Sequence, residues 1–167
     1  MVKFNLHIKL PDKDVLLAKD SMQVVQVWGE IYVELNNSYF PSEDWYDITS
    51  SILDMWIPSV IDFVCKNKDH CELYFMDGPH KVCLSWFSPQ EIKISTFRDN
   101  REEITDICYV SEFLESFVCA LDSFINQCND ANINLVSGRV LPRIVATTKE
   151  LKNIAESLKH KTSDDSQ

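Results

Sequence analysis

Residues 72–86 read ELYFMDGPHKVCLSW, and within them Asp77, Gly78, Pro79 and His80 set a carboxylate and an imidazole beside a backbone break. General acid–base catalysis needs such a pair within hydrogen-bond reach of one substrate. Three residues further on, Cys83 adds a thiol that a neighbouring imidazole could activate. His80 and Cys83 cannot meet through their own strand, because residues three apart point to opposite faces. His70 can approach Cys83 across the turn, but the sequence shows no partner to orient it. Cys65, His70 and Cys71 come nearest to a zinc ligand set, yet they straddle a helix end and a strand start with no second pair to complete the tetrahedron. The only glycines are at 29, 78 and 138, too few for a dinucleotide fingerprint or a P-loop. These residues point to a protein that is not an enzyme and holds no metal or cofactor, with its six cysteines acting as small apolar residues.

The elements that carry these residues explain the apparent site differently. Leu73 and Phe75, then Val82, Leu84 and Trp86, alternate with polar neighbours on either side of Asp-Gly-Pro-His. Two period-2 runs joined by a Gly-Pro turn predict a hairpin, with pairing beyond Pro79 and His80 facing solvent.

Upstream, Val2 to Leu10 alternate as one strand, a weaker strand follows near 15–19, and residues 23–40 form one long strand or two joined near Gly29. Pro41 stops that strand, and Ser42 is placed to cap a helix with Glu43 and Asp44 in its first turn. Trp45, Ile48, Ile52, Met55, Trp56 and Phe63 recur at helical spacing, with Pro58 expected to kink or end the helix. Asp44, Asp47, Ser51, Asp54 and Asp62 then share its outer side.

Strands are predicted near 71–76, 80–86 and 91–97, with a weaker one near 104–109. Ser111 caps a second helix whose inward arc is Phe113, Leu114, Phe117, Val118, Leu121, Phe124, Ile125 and Cys128. A third helix is expected over 142–159. The sum is an α+β fold: an antiparallel meander sheet of about five to seven strands, with about three helices packed mainly on one face. Residues 1–161 read as a single domain and 162–167 as a disordered polar tail.

Acids outnumber bases 26 to 16, for a formal charge of −10. That balance excludes phosphate-directed nucleic-acid binding and permits a basic partner. The charge is also lopsided. No Lys or Arg occurs between Lys19 and Lys66 or between Arg101 and Arg139, and fifteen of the 26 acids lie in those two stretches. Residues 139–161 hold six bases against two acids. No apolar run is long enough to span a membrane, and the N-terminus lacks the apolar core of a signal peptide, so a cytoplasmic location with reduced thiols is expected.

The run FPSEDWYDITSSILDMWIPSVIDFV at 40–64, followed by ELYFMDGPHKVCLSW, resembles bacterial immunity proteins that guard against polymorphic and contact-dependent toxins. The matching features are Trp45, Asp47, Leu53, Trp56, Phe75, Met76, Asp77, Gly78 and Pro79. The resemblance implies a cytoplasmic, non-enzymatic protein that binds one cognate toxin domain, and the acidic charge suggests a basic nuclease. On this reading the toxin-facing surface is the outer side of the first helix, Asp44, Asp47 and Asp54 with Tyr46, and Glu112, Glu115 and Asp122 form the second choice. The alternatives are a small cytoplasmic enzyme using the Cys/His neighbourhood and an acidic secretion chaperone or adaptor.

Overall fold

A computed structural model describes residues 3–11, 26–133 and 140–164, with side chains followed as far as Leu158. The expected strand near 15–19 and residues 165–167 of the expected tail lie outside these described residues. The α+β class holds, and the strands divide between two antiparallel sheets of four strands each.

The first sheet starts with β1 (Phe4–Lys9), where Phe4, Leu6 and Ile8 are buried and Asn5 and His7 are not. Its neighbour β2 (Gly29–Leu35) buries Ile31, Val33 and Leu35 by the same alternation. The predicted run 23–40 breaks at Asn36 and Asn37, not at Gly29. Both asparagines take positive φ, 50° and 62°, which is the two-residue turn that suits the twist of a hairpin. β3 (Ser38–Phe40) returns along one end of β2, and β4 (Tyr46–Asp47) pairs with the other end at Gly29 and Glu30.

β4 changes the reading of the first helix. Residues 42–47 are not helical: Asp44 has φ 59°, and the Trp45 carbonyl accepts the Ile31 N–H at 2.7 Å. α1 therefore spans Thr49–Val64 and begins a full turn later than Ser42. Ser50 fastens that start, its Oγ accepting the Val27 N–H at 3.0 Å. The shift turns Met55 outward, 44% exposed, and brings Ile57 and Val60 into the core. Pro58 sits on an exposed position and does not end the helix, which continues to Val64.

The second sheet is a meander of β5 (His70–Tyr74), β6 (His80–Trp86), β7 (Glu91–Arg98) and β8 (Arg101–Tyr109). α2 (Val110–Asp130) follows β8 without a loop; Tyr109, not Ser111, occupies its N-cap. Its predicted core face is largely realised, with Phe113, Leu114, Phe117, Leu121, Phe124 and Cys128 buried. α3 (Val140–Asp164) packs against both α1 and α2 and runs past Thr162, where the tail was expected to begin. One continuous apolar core joins both sheets and all three helices.

Two sets of polar contacts close this arrangement. α2 lies along the edge strand β1, where Ser116 Oγ accepts the Leu6 N–H at 3.0 Å and Gln127 Oε1 accepts the Leu10 N–H at 2.7 Å. Gln127 Nε2 also donates to the Ile8 carbonyl at 3.2 Å, so the helix satisfies backbone groups that a bare sheet edge would offer to another chain. Meanwhile the base-rich α3 meets the acids of its neighbours: Arg143 pairs with Asp54 on α1, and Lys152 with Asp122 on α2 at 2.6 Å.

Candidate functional site

Asp47 is where the predicted site and the structure differ most. β4 directs its side chain inward, leaving the residue 1% exposed, and its carboxylate gathers four donors. Oδ1 accepts the Ile48 N–H at 2.6 Å, and Oδ2 accepts the N–H groups of Met76 and Asp77, each at 3.0 Å. The Trp45 indole N–H reaches the same Oδ2 at 3.4 Å. A buried carboxylate facing only donors is a structural anchor, which satisfies orphaned amides of the turn between β5 and β6. Trp56 fastens the same hairpin from α1, donating its indole N–H to the Tyr74 carbonyl at 2.7 Å and meeting Phe75 edge to face. The Trp-Asp pair, the second tryptophan and the Met-Asp-Gly-Pro turn, far apart in the chain, thus form one unit.

The turn itself is closed by the Phe75 N–H donating to the His80 carbonyl at 3.1 Å. Pairing starts at His80, so the inward alternation of β6 takes in His80 with Val82 and Leu84. His80 is buried, not solvent-facing as predicted. Its ring stands edge-on to Trp45 at 5.0 Å and Phe40 at 5.8 Å, and its Nδ1 has no partner among the described residues. Asp77 is exposed and donates its backbone N–H to Asp47, so the acid and the imidazole do not form a working pair.

Gly78 is required at this turn on two grounds. Its φ is +71°, and a Cβ there would lie 2.7 Å from the His80 Nε2. Gly78→Ala is expected to destabilise the fold by about 1–3 kcal/mol. Urea unfolding of the variant measures the loss, and an unchanged midpoint would refute the assigned strain.

Burial lowers the pKa of His80, and the Arg98 charge lowers it further. The folded state thus holds His80 neutral, while the unfolded chain protonates it near the ordinary histidine value of about 6.5. The unfolded state binds more protons in that window, so stability is full above about pH 6.5 and declines as pH falls through the folded-state pKa. Between pH 7.5 and 5.5 the wild type is expected to lose stability (roughly, above the range of the carboxylates), and His80→Phe to flatten that slope. A slope that survives the substitution would assign it to other groups.

The thiols are poorly placed for nucleophilic chemistry. Burial pushes Cys71, Cys108 and Cys128 up to about 12. Cys83 is also raised by burial, and its nearest polar neighbour is the Glu72 carboxylate at 3.8 Å, the wrong charge to favour a thiolate. His70 pairs in register with Ser85, two residues along from Cys83. Among the described residues, no three His, Cys, Asp or Glu side chains converge as metal ligands.

The acids chosen for binding separate into engaged and accessible groups. Asp47 is buried, and Asp54 is clasped by Arg143 with its side chain 14% exposed, so neither presents an open face. Asp44 remains exposed, as does Tyr46, which stacks on Trp28 at 6.1 Å. In the second group Asp122 is paired with Lys152. Glu112 and Glu115 are exposed and, with Glu34, line a groove of about 830 Å³ between β1 and α2.

Beside that groove lies a feature missed in the sequence, the outward face of the first sheet. His7 stacks on Tyr32 at 4.7 Å with 11° between the rings, and Tyr39 stands nearly perpendicular to Tyr32 at 5.7 Å. Glu34 accepts from Asn5 Nδ2 and His7 Nε2, each at 2.9 Å, and the two hydrogen bonds, Asn5 first, hold its carboxyl below the usual range. Tyr32 is raised by burial and then by Asp44, Glu43 and Glu30, which places all three carboxylates within its field. The signal was present in the alternation: the outward positions of β2 read Glu30, Tyr32, Glu34.

No protein-family model, curated protein or solved structure matches the chain.

Proposed function

We propose that this protein is an immunity protein that binds and neutralises a cognate bacterial toxin domain in the cytoplasm, with a basic nuclease as the toxin class its charge suits. The observation that carries the reading is the single unit formed by Trp45, Asp47, Trp56 and the turn at 75–80. The residues behind the resemblance meet in space, which is what a shared scaffold signature requires and a chance scatter of tryptophans does not. That unit consumes the acid and imidazole that looked catalytic, and it leaves the exposed tyrosines and carboxylates for recognition. No helix among the described residues is long and apolar enough to cross a membrane.

Of the acids first assigned to the toxin, Asp44 keeps that role, with Tyr46 and with Glu112 and Glu115. Asp47 and Asp54 support the fold. Co-expression with the toxin gene adjacent to this one in the genome, scored by survival, tests the function: protection is expected, and death of co-expressing cells would reject it. In the purified pair the association rate is expected to fall steeply as salt rises. A rate flat across the series would reject an electrostatic encounter.

A further inference from the structure

The outward face of the first sheet carries aromatic planes set among carboxylates. Tyr32 and His7 present stacked rings, Tyr39 forms a wall perpendicular to them, and the Glu34 carboxylate lies beside His7. Glu43 and Asp44 are exposed on the turn that follows β3. The face continues over β1 into the groove against α2, because Asn5, His7 and Glu34 belong to both, and there Glu112 and Glu115 add two more exposed carboxylates. With Glu30, the continuous surface holds six acids; its lysines are Lys3, in the groove, and Lys9, which is paired to Glu30 at 3.4 Å. Among the described residues no helix packs on this side, since α2 meets the sheet through the buried side chains and the edge of β1.

We propose that this sheet face and the adjoining groove form the docking surface for the protein's partner, and that the partner meets it with arginine-rich protein surface. The proposal rests on the reading of the protein as a toxin inhibitor and identifies the chemistry of its target. A guanidinium suits the site better than an ammonium. It stacks flat on an aromatic ring while its fork bonds a carboxylate, and here rings and carboxylates are adjacent. A second copy of this chain would oppose acid to acid, so self-association through this face is disfavoured. Nucleic acid is repelled by the same charges.

The test uses the full chain, labelled with nitrogen-15 and titrated at physiological ionic strength with an oligo-arginine peptide and an oligo-lysine peptide of equal length. Shift changes are expected on β1, β2 and β3 and on the α2 residues of the groove, with the arginine peptide binding more tightly. The variant Glu34→Gln/Glu43→Gln/Asp44→Asn is compared with Asp69→Asn/Asp130→Asn/Glu156→Gln, which removes the same charge from exposed sites elsewhere. The first should weaken arginine-peptide binding at least about tenfold and the second less than about threefold. Equal losses, shifts on another face, absence of peptide binding or wild-type dimerisation through these strands would each overturn the proposal. Survival separates it from the functional reading. If cells are protected equally by the wild type and by the first variant, the surface is wrong and the function stands. If the peptide maps to this face but the toxin still kills, the function is wrong and the cation-binding surface stands.

Discussion

Asp47→Ala is expected to destabilise the protein by about 3–5 kcal/mol, one of the two largest effects of any single change considered. The side chain accepts three backbone N–H groups and one indole N–H, with the residue 1% exposed. Each buried donor left without a partner costs about 1–3 kcal/mol, and water can rescue part of that only at the exposed Met76–Asp77 end. Asp47→Asn should cost roughly half as much, since one amide oxygen can serve Ile48 or the turn but not both. Urea unfolding with an unchanged slope measures both losses. A loss below about 1 kcal/mol for the alanine variant would show that the carboxylate is not the anchor described. Where the asparagine variant folds, it should bind the partner as well as the wild type, because a buried side chain offers the partner nothing to touch.

Trp56→Ala is the second large effect, expected to cost about 3–5 kcal/mol through the cavity it leaves under the hairpin. The indole is 1% exposed, packs against Phe75 at 5.1 Å and supplies the donor to the Tyr74 carbonyl. Trp56→Phe separates the two contributions: the ring contact with Phe75 is largely kept and the hydrogen bond lost, for about 1–2 kcal/mol. Both large variants loosen the same hairpin, so the double variant Asp47→Ala/Trp56→Ala should lose less than the sum, by about 0.5–3 kcal/mol. Strict additivity would mean that the two residues hold separate parts of the fold.

Both effects belong to residues whose importance could be seen in the sequence but whose role could not. Trp45, Asp47 and Trp56 stood out by type and by resemblance, and helical spacing assigned Asp47 to a solvated stripe. The assignment failed because residues 42–47 have a competing use: β2 offers an open edge at Gly29 and Glu30, and the chain satisfies it before turning into α1. A helix beginning at Ser42 would have left those backbone groups unpaired. His80 was misplaced for a related reason. One inward position of β6 falls at the first residue after Pro79, so the burial alternation reaches into the turn.

The acidic segments illustrate the same division. Composition located the two base-free stretches and the basic C-terminal region, but long-range packing decided which acids remain open. α3 crosses α1 and α2, and its Arg143 and Lys152 take up Asp54 and Asp122, whereas Glu112 and Glu115 lie on the part of α2 that faces β1.

By itself the sequence determined the α+β class, the alternation of β1, the hairpin at 70–86 and the apolar face of α2. These follow from local periodicity and turn chemistry, which act over a few residues. Tertiary structure alone decided that the eight strands form two sheets, that Asp47 serves the turn at 76–77, and that His7, Tyr32, Tyr39 and Glu34 share one surface. Those outcomes depend on partners tens of residues apart. A buried carboxylate needs donors and a sheet edge needs a neighbour, and only the folded chain determines which residues supply them.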